Sequence, residues 1–276
     1  MSDKSEQFTP SEIMRVITEL LDAGTTAVVV TVIEHPQLVG AKLLLDDQAR
    51  FLGTLGSADI DSFVREHAAK FLESREEIRS YRGKELSAPD QFTDSLFLFE
   101  RIRPEAQLVI CGAGHVGASL AVFACLAGYR VTLIDDREEF LTPERFSNHD
   151  VQLLLADNWT DAVRQAVGNG RGVSLAVVTR GHNEDEQCMR AAITTNPDYI
   201  GLIGSKRRTS IVINRLREAG ATEEQLNRIR APIGLDIGAV TPEEVALSIL
   251  AEIICERRGG SGGSMSAWRR SPSLRK

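Results

Sequence analysis

The sequence predicts an α/β protein, with a doubly wound parallel sheet in its C-terminal part and a smaller N-terminal α+β domain. After Gln107, five short apolar segments alternate with helical ones, which is typical of parallel strands covered on both faces. Before Arg103, strand segments follow one another with only two helical segments among them. We therefore expect domains over residues 1–103 and 104–256, and a flexible basic tail over residues 257–276.

The N-terminal domain begins with a helix that has a clear start signal. Residues 9–12, "TPSE", form a capping box with proline in the first turn, which predicts a helix from about Pro10 to Ala23. A second helix is expected over "SADIDSFVREHAAKFLESR", where apolar residues recur at helical spacing. The predicted strands are "TTAVVVTVIE", "AKLLLD", "RFLGTL", "EIRSYR" and "SLFLFERI".

The sequence of the C-terminal domain predicts five strands, one at each of five apolar segments. These are "LVIC", "RVTLID", "VQLLLA", "SLAVVT" and "YIGLIG". A capping box at residues 241–244 opens a last helix to about Cys255. The other expected helices are His115 to Ala127, Trp159–Val167, Asp185–Thr194, and two that start near Lys206 and Thr222.

Composition restricts the class of protein. The chain has 276 residues, a net charge of −7 and 42% hydrophobic residues, as in globular proteins. The acidic balance argues against nucleic acid as a partner, because phosphate contacts need a basic face. No apolar run is long enough to span a bilayer, and the polar start "MSDKSEQFTP" is unlike a signal peptide, so a cytoplasmic location is expected. Four cysteines without metal-ligand spacing predict no metal site.

A glycine-rich loop follows the first strand of the C-terminal domain. It contains Gly112-x-Gly114-x-x-Gly117 between a strand and a helix, which is the context of a Rossmann-like nucleotide-binding turn. Gly112 allows the tight turn, Gly114 lets backbone N–H groups approach a phosphate, and Gly117 lets the helix pack closely. Asp135 ends the second strand, just before Asp136, where a carboxylate would accept hydrogen bonds from a ribose.

The sequence leaves two points about this loop open. Either the turn binds a nucleotide or phosphate, or it has kept its shape and lost its ligand. His115 lies inside the motif, and its side chain would donate to a phosphate, cap the helix or face water.

Three further loops end at the same edge of the predicted sheet, where ligands bind in doubly wound proteins. Cations at the start of a helix are locally unfavourable, so those after the fifth strand predict a second anion contact; the alternative is a solvated helix face. The candidate residues are Arg180 and His182 after the fourth strand, Gly204, Ser205, Lys206, Arg207 and Arg208 after the fifth, and Asp236 in "PIGLDIGAVTPEE".

The residues leave open whether the protein is an enzyme. No G-x-S-x-G or H-E-x-x-H motif occurs, and no nucleophile–base pair stands out. His182 is the best candidate for an acid–base residue, with Asp185 and Glu186 near it in sequence. Taken alone, the site predicts anion and nucleotide binding.

Five segments of the C-terminal domain together resemble a known family. They are "GAGHVG", "VTLIDDREEF", "TRGHNEDE", "YIGLIGSKRR" and "PIGLDIGAVTPEEVALSILAEI". They are similar to the C-terminal domain of the XdhC/CoxI family, over about residues 108–256. The resemblance implies an accessory factor that binds the molybdenum cofactor (molybdopterin), assists its sulfuration with a cysteine desulfurase and delivers it to the apo-enzyme of a molybdenum hydroxylase. It also implies a homodimer.

The N-terminal domain resembles the other family domain less closely. It keeps Lys42, Gly53 and Gly56, which the resemblance assigns to an N-terminal site. Asp59 stands where the family has a cysteine. Because a thiolate is a soft ligand that also carries sulfur, and a carboxylate is a hard one, this departure predicts that the domain carries no sulfur and disfavours its ligation of molybdenum.

We therefore expect an XdhC-like accessory factor for xanthine dehydrogenase or another molybdenum hydroxylase. One alternative is an NAD(P)-dependent oxidoreductase, with Asp135 on the ribose and His182 as acid–base. A second alternative is a chaperone that binds its client protein and no small molecule. Turnover of NADH with small carbonyl compounds would favour the oxidoreductase, and a client that co-purifies without cofactor would favour the bare chaperone.

Overall fold

The computed structural model describes residues 9–74 and 76–266. The chain divides into two compact units, residues 1–104 and 105–276. Of the basic residues in the predicted tail, four lie outside the described residues, namely Arg269, Arg270, Arg275 and Lys276. In the described part of the chain, no helix is both long and apolar enough to cross a membrane.

The described residues of the first unit form a five-stranded antiparallel sheet with helices. Its elements are α1 (Pro10–Asp22), β1 (Ala27–Glu34), β2 (Lys42–Asp46), β3 (Phe51–Thr54), α2 (Ala58–Glu73), β4 (Ile78–Arg82), α3 (Gly83–Leu86) and β5 (Leu96–Ile102). The strand order is β3-β2-β1-β5-β4. A core of apolar side chains lies between the sheet and α2, and α1 covers a smaller cluster around Leu20, Val29 and Leu44.

The described residues of the second unit form a six-stranded parallel sheet with helices. Its elements are β6 (Gln107–Cys111), α4 (His115–Leu126), β7 (Arg130–Asp135), β8 (Val151–Leu155), α5 (Trp159–Val167), β9 (Val173–Val177), α6 (His182–Thr195), β10 (Tyr199–Leu202), α7 (Lys206–Glu218), α8 (Glu223–Asn227), β11 (Ile229–Arg230) and α9 (Pro242–Arg258). The strand order is β11-β10-β9-β6-β7-β8, with neighbouring strands parallel.

This sheet is doubly wound. In chain order its strands run 3-2-1-4-5-6, which is the Rossmann order. The side chains of α5, α6 and α7 share one core with one face of the sheet, and those of α4 and α9 share a second core with the other face. The predicted fold class, a Rossmann-like doubly wound sheet with a smaller N-terminal α+β domain, is therefore confirmed. The strand order reverses between the neighbouring parallel strands β6 and β9, because β7 and β8 lie on one side of this pair and β10 and β11 on the other. Folds of this kind bind ligands at the carboxyl ends of the strands at this point.

Two helix boundaries differ from those the sequence predicts, and one short strand was not predicted. The helix expected from Asp185 begins at His182, because Gly181 already has the extended backbone of an N-cap. The last helix continues past Cys255 to Arg258, so the first two residues of the expected tail are helical. The strand β11 was not predicted, because two residues are too few for a periodic pattern.

Candidate functional site

The three glycines of the loop after β6 have different surroundings. A Cβ atom at Gly117 would lie 1.8 Å from the carbonyl oxygen of Gly112, and one at Gly112 would lie 2.7 Å from that of Val178. Gly112 also has a φ of +110°, which disfavours any L side chain. At Gly114, by contrast, no described atom lies within 4 Å of the Cβ position. Internal packing therefore explains two of the glycines, whereas Gly114 borders open space.

The open space at Gly114 lies at the start of α4. Gly114 is the N-cap of that helix, and a glycine has no side chain with which to cap the first-turn N–H groups. The N–H groups of His115, Val116 and Gly117 belong to that first turn, where no carbonyl of the helix can accept from them. Uncapped N–H groups beside a surface where a Cβ is missing form a cradle that fits a phosphate group. The His115 side chain is exposed at the edge of this cradle.

Asp135 is bound within the protein. Its side chain is only 1% exposed and accepts four hydrogen bonds: from Ala113 N (2.6 Å), Arg137 N (3.0 Å), Arg137 Nε (2.9 Å) and Arg137 Nη2 (3.0 Å). Burial acts to raise the pKa of Asp135, but the hydrogen bonds from Arg137 and Ala113 outweigh it and lower that pKa. A carboxylate has about four lone-pair positions, and all are used here. Asp135 thus fixes the glycine loop, which differs from the ribose contact that the sequence predicted.

Asp136 and Arg180 form an ion pair that spans the end of β6. Arg180 Nη1 and Nη2 donate to Asp136 Oδ1 (3.1 Å) and Oδ2 (2.9 Å). Asp136 follows β7 and Arg180 follows β9, and β6 lies between those two strands. Because strands two places apart are separated by roughly 10 Å, the pair must cross the carboxyl end of β6, where the glycine loop begins. The structure thus brings two of the predicted site residues together beside the cradle.

Two arginines that the sequence analysis missed also lie at the glycine loop. The guanidinium of Arg137 lies 3.8 Å from the ring centroid of Phe140. Arg145 donates from Nη1 to the carbonyl oxygen of Ala113 (3.2 Å) and to that of Phe140. Arg137 was detectable by its position two residues after Asp135. Arg145 comes from a loop far along the chain, and no local pattern indicates it.

His182 has no ion-pair or hydrogen-bond partner among the described residues, and its side chain is exposed. The two carboxylates near it in sequence are bound elsewhere: Asp185 to Arg208, and Glu186 to arginines of α6 and α7. An acid–base histidine normally has a partner that orients its ring. The structure therefore provides no support for the acid–base role that was predicted for His182.

A buried ion pair ties α6 to α7. Asp185 is fully buried and accepts hydrogen bonds from Thr179 Oγ1 (2.6 Å), Arg208 Nε (2.8 Å) and Arg208 Nη2 (2.6 Å). Burial raises the pKa of Asp185 even though Thr179 and Arg208 donate to it. Arg208, predicted as one of three anion-binding cations, is thus held by an internal carboxylate. Gly204 makes room for it, because a Cβ there would lie 3.1 Å from Arg208 Cδ.

The start of α7 borders an open cleft of about 340 Å³, which is lined by His182, Ser205, Arg207, Arg208, Ile211 and Arg215. Ser205 is the N-cap of α7, and its Oγ accepts from Arg208 N (3.3 Å). Lys206 and Arg207 are exposed, and neither has an ion-pair partner among the described residues. The cleft therefore contains several of the predicted site residues together with Arg215, which the sequence analysis missed although it lies two turns along the same helix face.

The loop before α9 is held by a glutamate of that helix. Glu252 Oε2 accepts hydrogen bonds from Gly234 N (2.9 Å) and from the hydroxyl of Tyr199. Burial, followed by the bond to Glu252, raises the pKa of Tyr199 well above its usual range. Asp236 lies further along this loop with an exposed side chain, and it has no hydrogen bond or ion pair with the glycine loop among the described residues.

The predicted N-terminal residues lie near one end of the first sheet. Lys42 begins β2, where it pairs with Thr54 of β3, and its Nζ donates to Thr31 Oγ1 (2.6 Å). Gly53 lies within β3 and Gly56 in the segment that leads from β3 to α2, and their φ angles are positive, +89° and +115°. Asp59 is exposed in the first turn of α2.

This segment is fixed by an aspartate that the sequence analysis missed. Asp61 is buried and accepts hydrogen bonds from Thr54 Oγ1 (2.6 Å) and Leu55 N (2.6 Å). Thr54 Oγ1 in turn accepts from Gly56 N (3.0 Å). The segment thus has internal supports that are independent of Asp59, whose side chain faces solvent.

The cysteines are not arranged to bind a metal. Cys111 and Cys188 are buried, and burial followed by the contact with Cys111 raises the pKa of the Cys188 thiol well above its usual range. Burial also raises the pKa of Cys125. Within residues 9–74 and 76–266, no group of three or more His, Cys, Asp or Glu side chains could hold a metal ion.

Comparison with known proteins decides the family. Residues 108–253 match the XdhC Rossmann domain, and residues 20–82 match the XdhC and CoxI family. The chain belongs to the XdhC and CoxI family. The predicted resemblance is therefore confirmed, and the glycine loop, the Asp136–Arg180 pair and the cleft at α7 all lie within the segment that matches the XdhC Rossmann domain.

Two curated relatives and one solved structure illustrate the similarity. The chain is 30% identical to a protein of Bacillus subtilis that is named as a probable subunit of xanthine dehydrogenase, over 166 residues (60% of this chain, 47% of the relative). It is 35% identical to the molybdenum cofactor insertion chaperone PaoD of Escherichia coli over 75 residues (27% and 24%). It therefore spans less than half the length of these relatives. A xanthine dehydrogenase structure from Bacillus halodurans shares the fold, with a TM-score of 0.50, 18% identity and coverage of 91% and 99%.

Proposed function

We propose that this protein binds the molybdenum cofactor, or a related nucleotide, by its phosphate group at Gly112–Gly117 and assists the maturation of a molybdenum hydroxylase. Membership of the XdhC and CoxI family supports this role, as do a relative named a molybdenum cofactor insertion chaperone and another named as a probable subunit of xanthine dehydrogenase. The client is then a molybdenum hydroxylase apo-enzyme. A cysteine desulfurase as a partner, a homodimer and a cytoplasmic location belong to the same proposal.

The observation that carries this proposal is the open space at Gly114. Gly112 and Gly117 must be glycine for the loop to fold, whereas internal packing does not require glycine at Gly114. A missing side chain beside three uncapped helical N–H groups is explained if a phosphate occupies that space. Arg180 lies across the end of β6 and would add a guanidinium to the same phosphate.

The described residues fit the phosphate end of the cofactor better than its metal. Asp59 is a carboxylate at the family's cysteine position and therefore supplies no thiolate, and burial raises the pKa of the Cys125 and Cys188 thiols, which favours their protonated form. Molybdenum bound to sulfur prefers soft ligands. The chain therefore holds the cofactor by its phosphate and contributes no sulfur through Asp59.

The oxidoreductase alternative has less support. It needs Asp135 free to accept from a ribose, but all lone-pair positions of that carboxylate are used. It also needs an oriented acid–base group, and His182 is exposed without a partner among the described residues. A chaperone without any small molecule would leave the space at Gly114 without a purpose.

The test is the pterin content of protein purified from cells that are fed molybdate. We expect the wild type to release pterin that fluoresces after oxidation, and Gly114→Val to release at least about tenfold less, because a side chain there occupies the phosphate position. Ala127→Val, an exposed substitution at the other end of α4, is the matched control and should retain the wild-type level. Equal pterin in Gly114→Val, or none in the wild type, would contradict the proposal.

A further inference from the structure

The cleft at the start of α7 has the size of a small-molecule site, and none of the residues that line it belongs to the glycine loop. Its volume of about 340 Å³ lies at the lower end of the usual range for such sites, roughly 300–1,000 Å³. Its walls come from α6 and α7, which pack on one face of the sheet, whereas α4 packs on the opposite face. The cleft therefore needs an explanation of its own.

The cleft carries an excess of positive charge. Asp185 neutralises only Arg208, because it is buried against that guanidinium. Glu186 is shared between Arg190 (2.8 Å) and Arg215 (3.0 Å), so a single carboxylate serves two cations.

Glu186 is shared by two arginines and Arg207 has no acidic partner in the described part of the chain, so part of the positive charge of the cleft is not neutralised. Hydrogen bonds from Arg190, and then from Arg215, outweigh burial and hold the pKa of Glu186 below its usual range. Arg207 has no acidic partner among the described residues. In a chain of net charge −7, such an excess attracts an anion.

One stripe of α7 combines charge with an apolar surface. Arg207, Ile211 and Arg215 are spaced by four residues, so they lie on the same side of the helix, over a length of about 12 Å. The side chain of Ile211 between the two arginines is 42% exposed. Cations in a first helical turn are also disfavoured by the helix dipole, and a bound anion removes that cost.

We propose that this cleft binds an organic phosphate monoester, independently of the ligand at the glycine loop. Arg207, His182 and the hydroxyl of Ser205 all line the cleft, and each can donate a hydrogen bond to an oxygen of a phosphate. Ser205 Oγ accepts from Arg208 N, which leaves its own O–H free to donate. The organic part of the molecule lies on Ile211, and Arg215 closes the far end.

Calorimetric titration of the whole protein with phenyl phosphate tests this site. In Gly114→Val, where the phosphate position of the glycine loop is blocked, we expect one saturable site, which Arg207→Gln weakens roughly tenfold or more because a charge-assisted pair is lost. Ile211→Ser should weaken binding of phenyl phosphate severalfold and leave that of inorganic phosphate unchanged. Arg217→Gln is the matched control, since Arg217 lies on the same helix and pairs with Glu223 outside the cleft, and it should bind as the wild type does.

Three results would overturn the proposal. They are an unchanged affinity in Arg207→Gln, an equal loss in Arg217→Gln, and the absence of saturable binding to Gly114→Val. Because Gly114→Val blocks the glycine loop, failure here leaves the proposed function standing, and failure of the pterin test leaves the cleft standing.

Discussion

Gly117→Ala is expected to destabilise the C-terminal unit by about 3 kcal/mol, because overpacking of a close contact has a cost of this size. The added methyl would lie 1.8 Å from the carbonyl oxygen of Gly112, and both backbone segments are buried. Alanine is the better helix former by about 1 kcal/mol, so the substitution would stabilise α4 if this contact did not exist. The measurement is the free energy of unfolding from denaturant titration followed by circular dichroism.

Gly114→Ala is the matched control for that substitution. It adds the same methyl three residues earlier, where no described atom lies within 4 Å, and we expect a loss below about 1 kcal/mol, the size of an N-cap change. Equal stability losses in the two variants, or a stabilised Gly117→Ala, would show that the glycines of the loop do not have the separate roles assigned to them.

Arg180→Gln is expected to weaken the binding of pyrophosphate to the glycine loop by roughly tenfold, and Asp136→Asn to strengthen it severalfold. In the ion pair, Asp136 occupies the guanidinium that a phosphate would use. Removing the carboxylate frees Arg180 for the ligand, whereas removing the guanidinium takes away a donor. The opposite signs distinguish competition within the pair from a general loss of structure.

The control for this pair is Arg130→Gln. Arg130 pairs with Glu105 (2.7 Å) at the opposite end of β7, so its loss changes the net charge equally without touching the loop. Affinities from calorimetry at two salt concentrations should show a weaker salt dependence in Arg180→Gln than in Arg130→Gln. If Asp136→Asn weakens binding, or Arg180→Gln leaves it unchanged, the ion pair does not compete with the ligand.

The parts of the fold that follow from local patterns were predictable. Capping boxes mark where α1 and α9 begin, and the alternation of apolar strands with helices gives the parallel sheet. The close packing at Gly112 and Gly117 follows from the strand–loop–helix context. Each of these signals lies within a few residues of the feature that it predicts.

The parts of the site that depend on distant contacts were not predictable. The motif predicts that Asp135 ends the second strand, but it does not show that Ala113 and Arg137 donate hydrogen bonds to both oxygens of its carboxylate. A run of three cations does not show that Arg208 turns inward to Asp185, 23 residues earlier, while Arg207 stays exposed. The direction of each of these side chains is set by tertiary packing, which a single sequence does not contain.

The binding of a phosphate group by the N–H groups of the glycine loop is tested most directly by nuclear magnetic resonance. In a titration of the isotopically labelled protein with inorganic pyrophosphate, the account predicts that the largest saturable amide shifts occur at residues 114–117. In Gly114→Val the same amides should not respond. Saturable shifts confined to other parts of the chain, or an unchanged response in Gly114→Val, would contradict the claim that this loop holds the ligand.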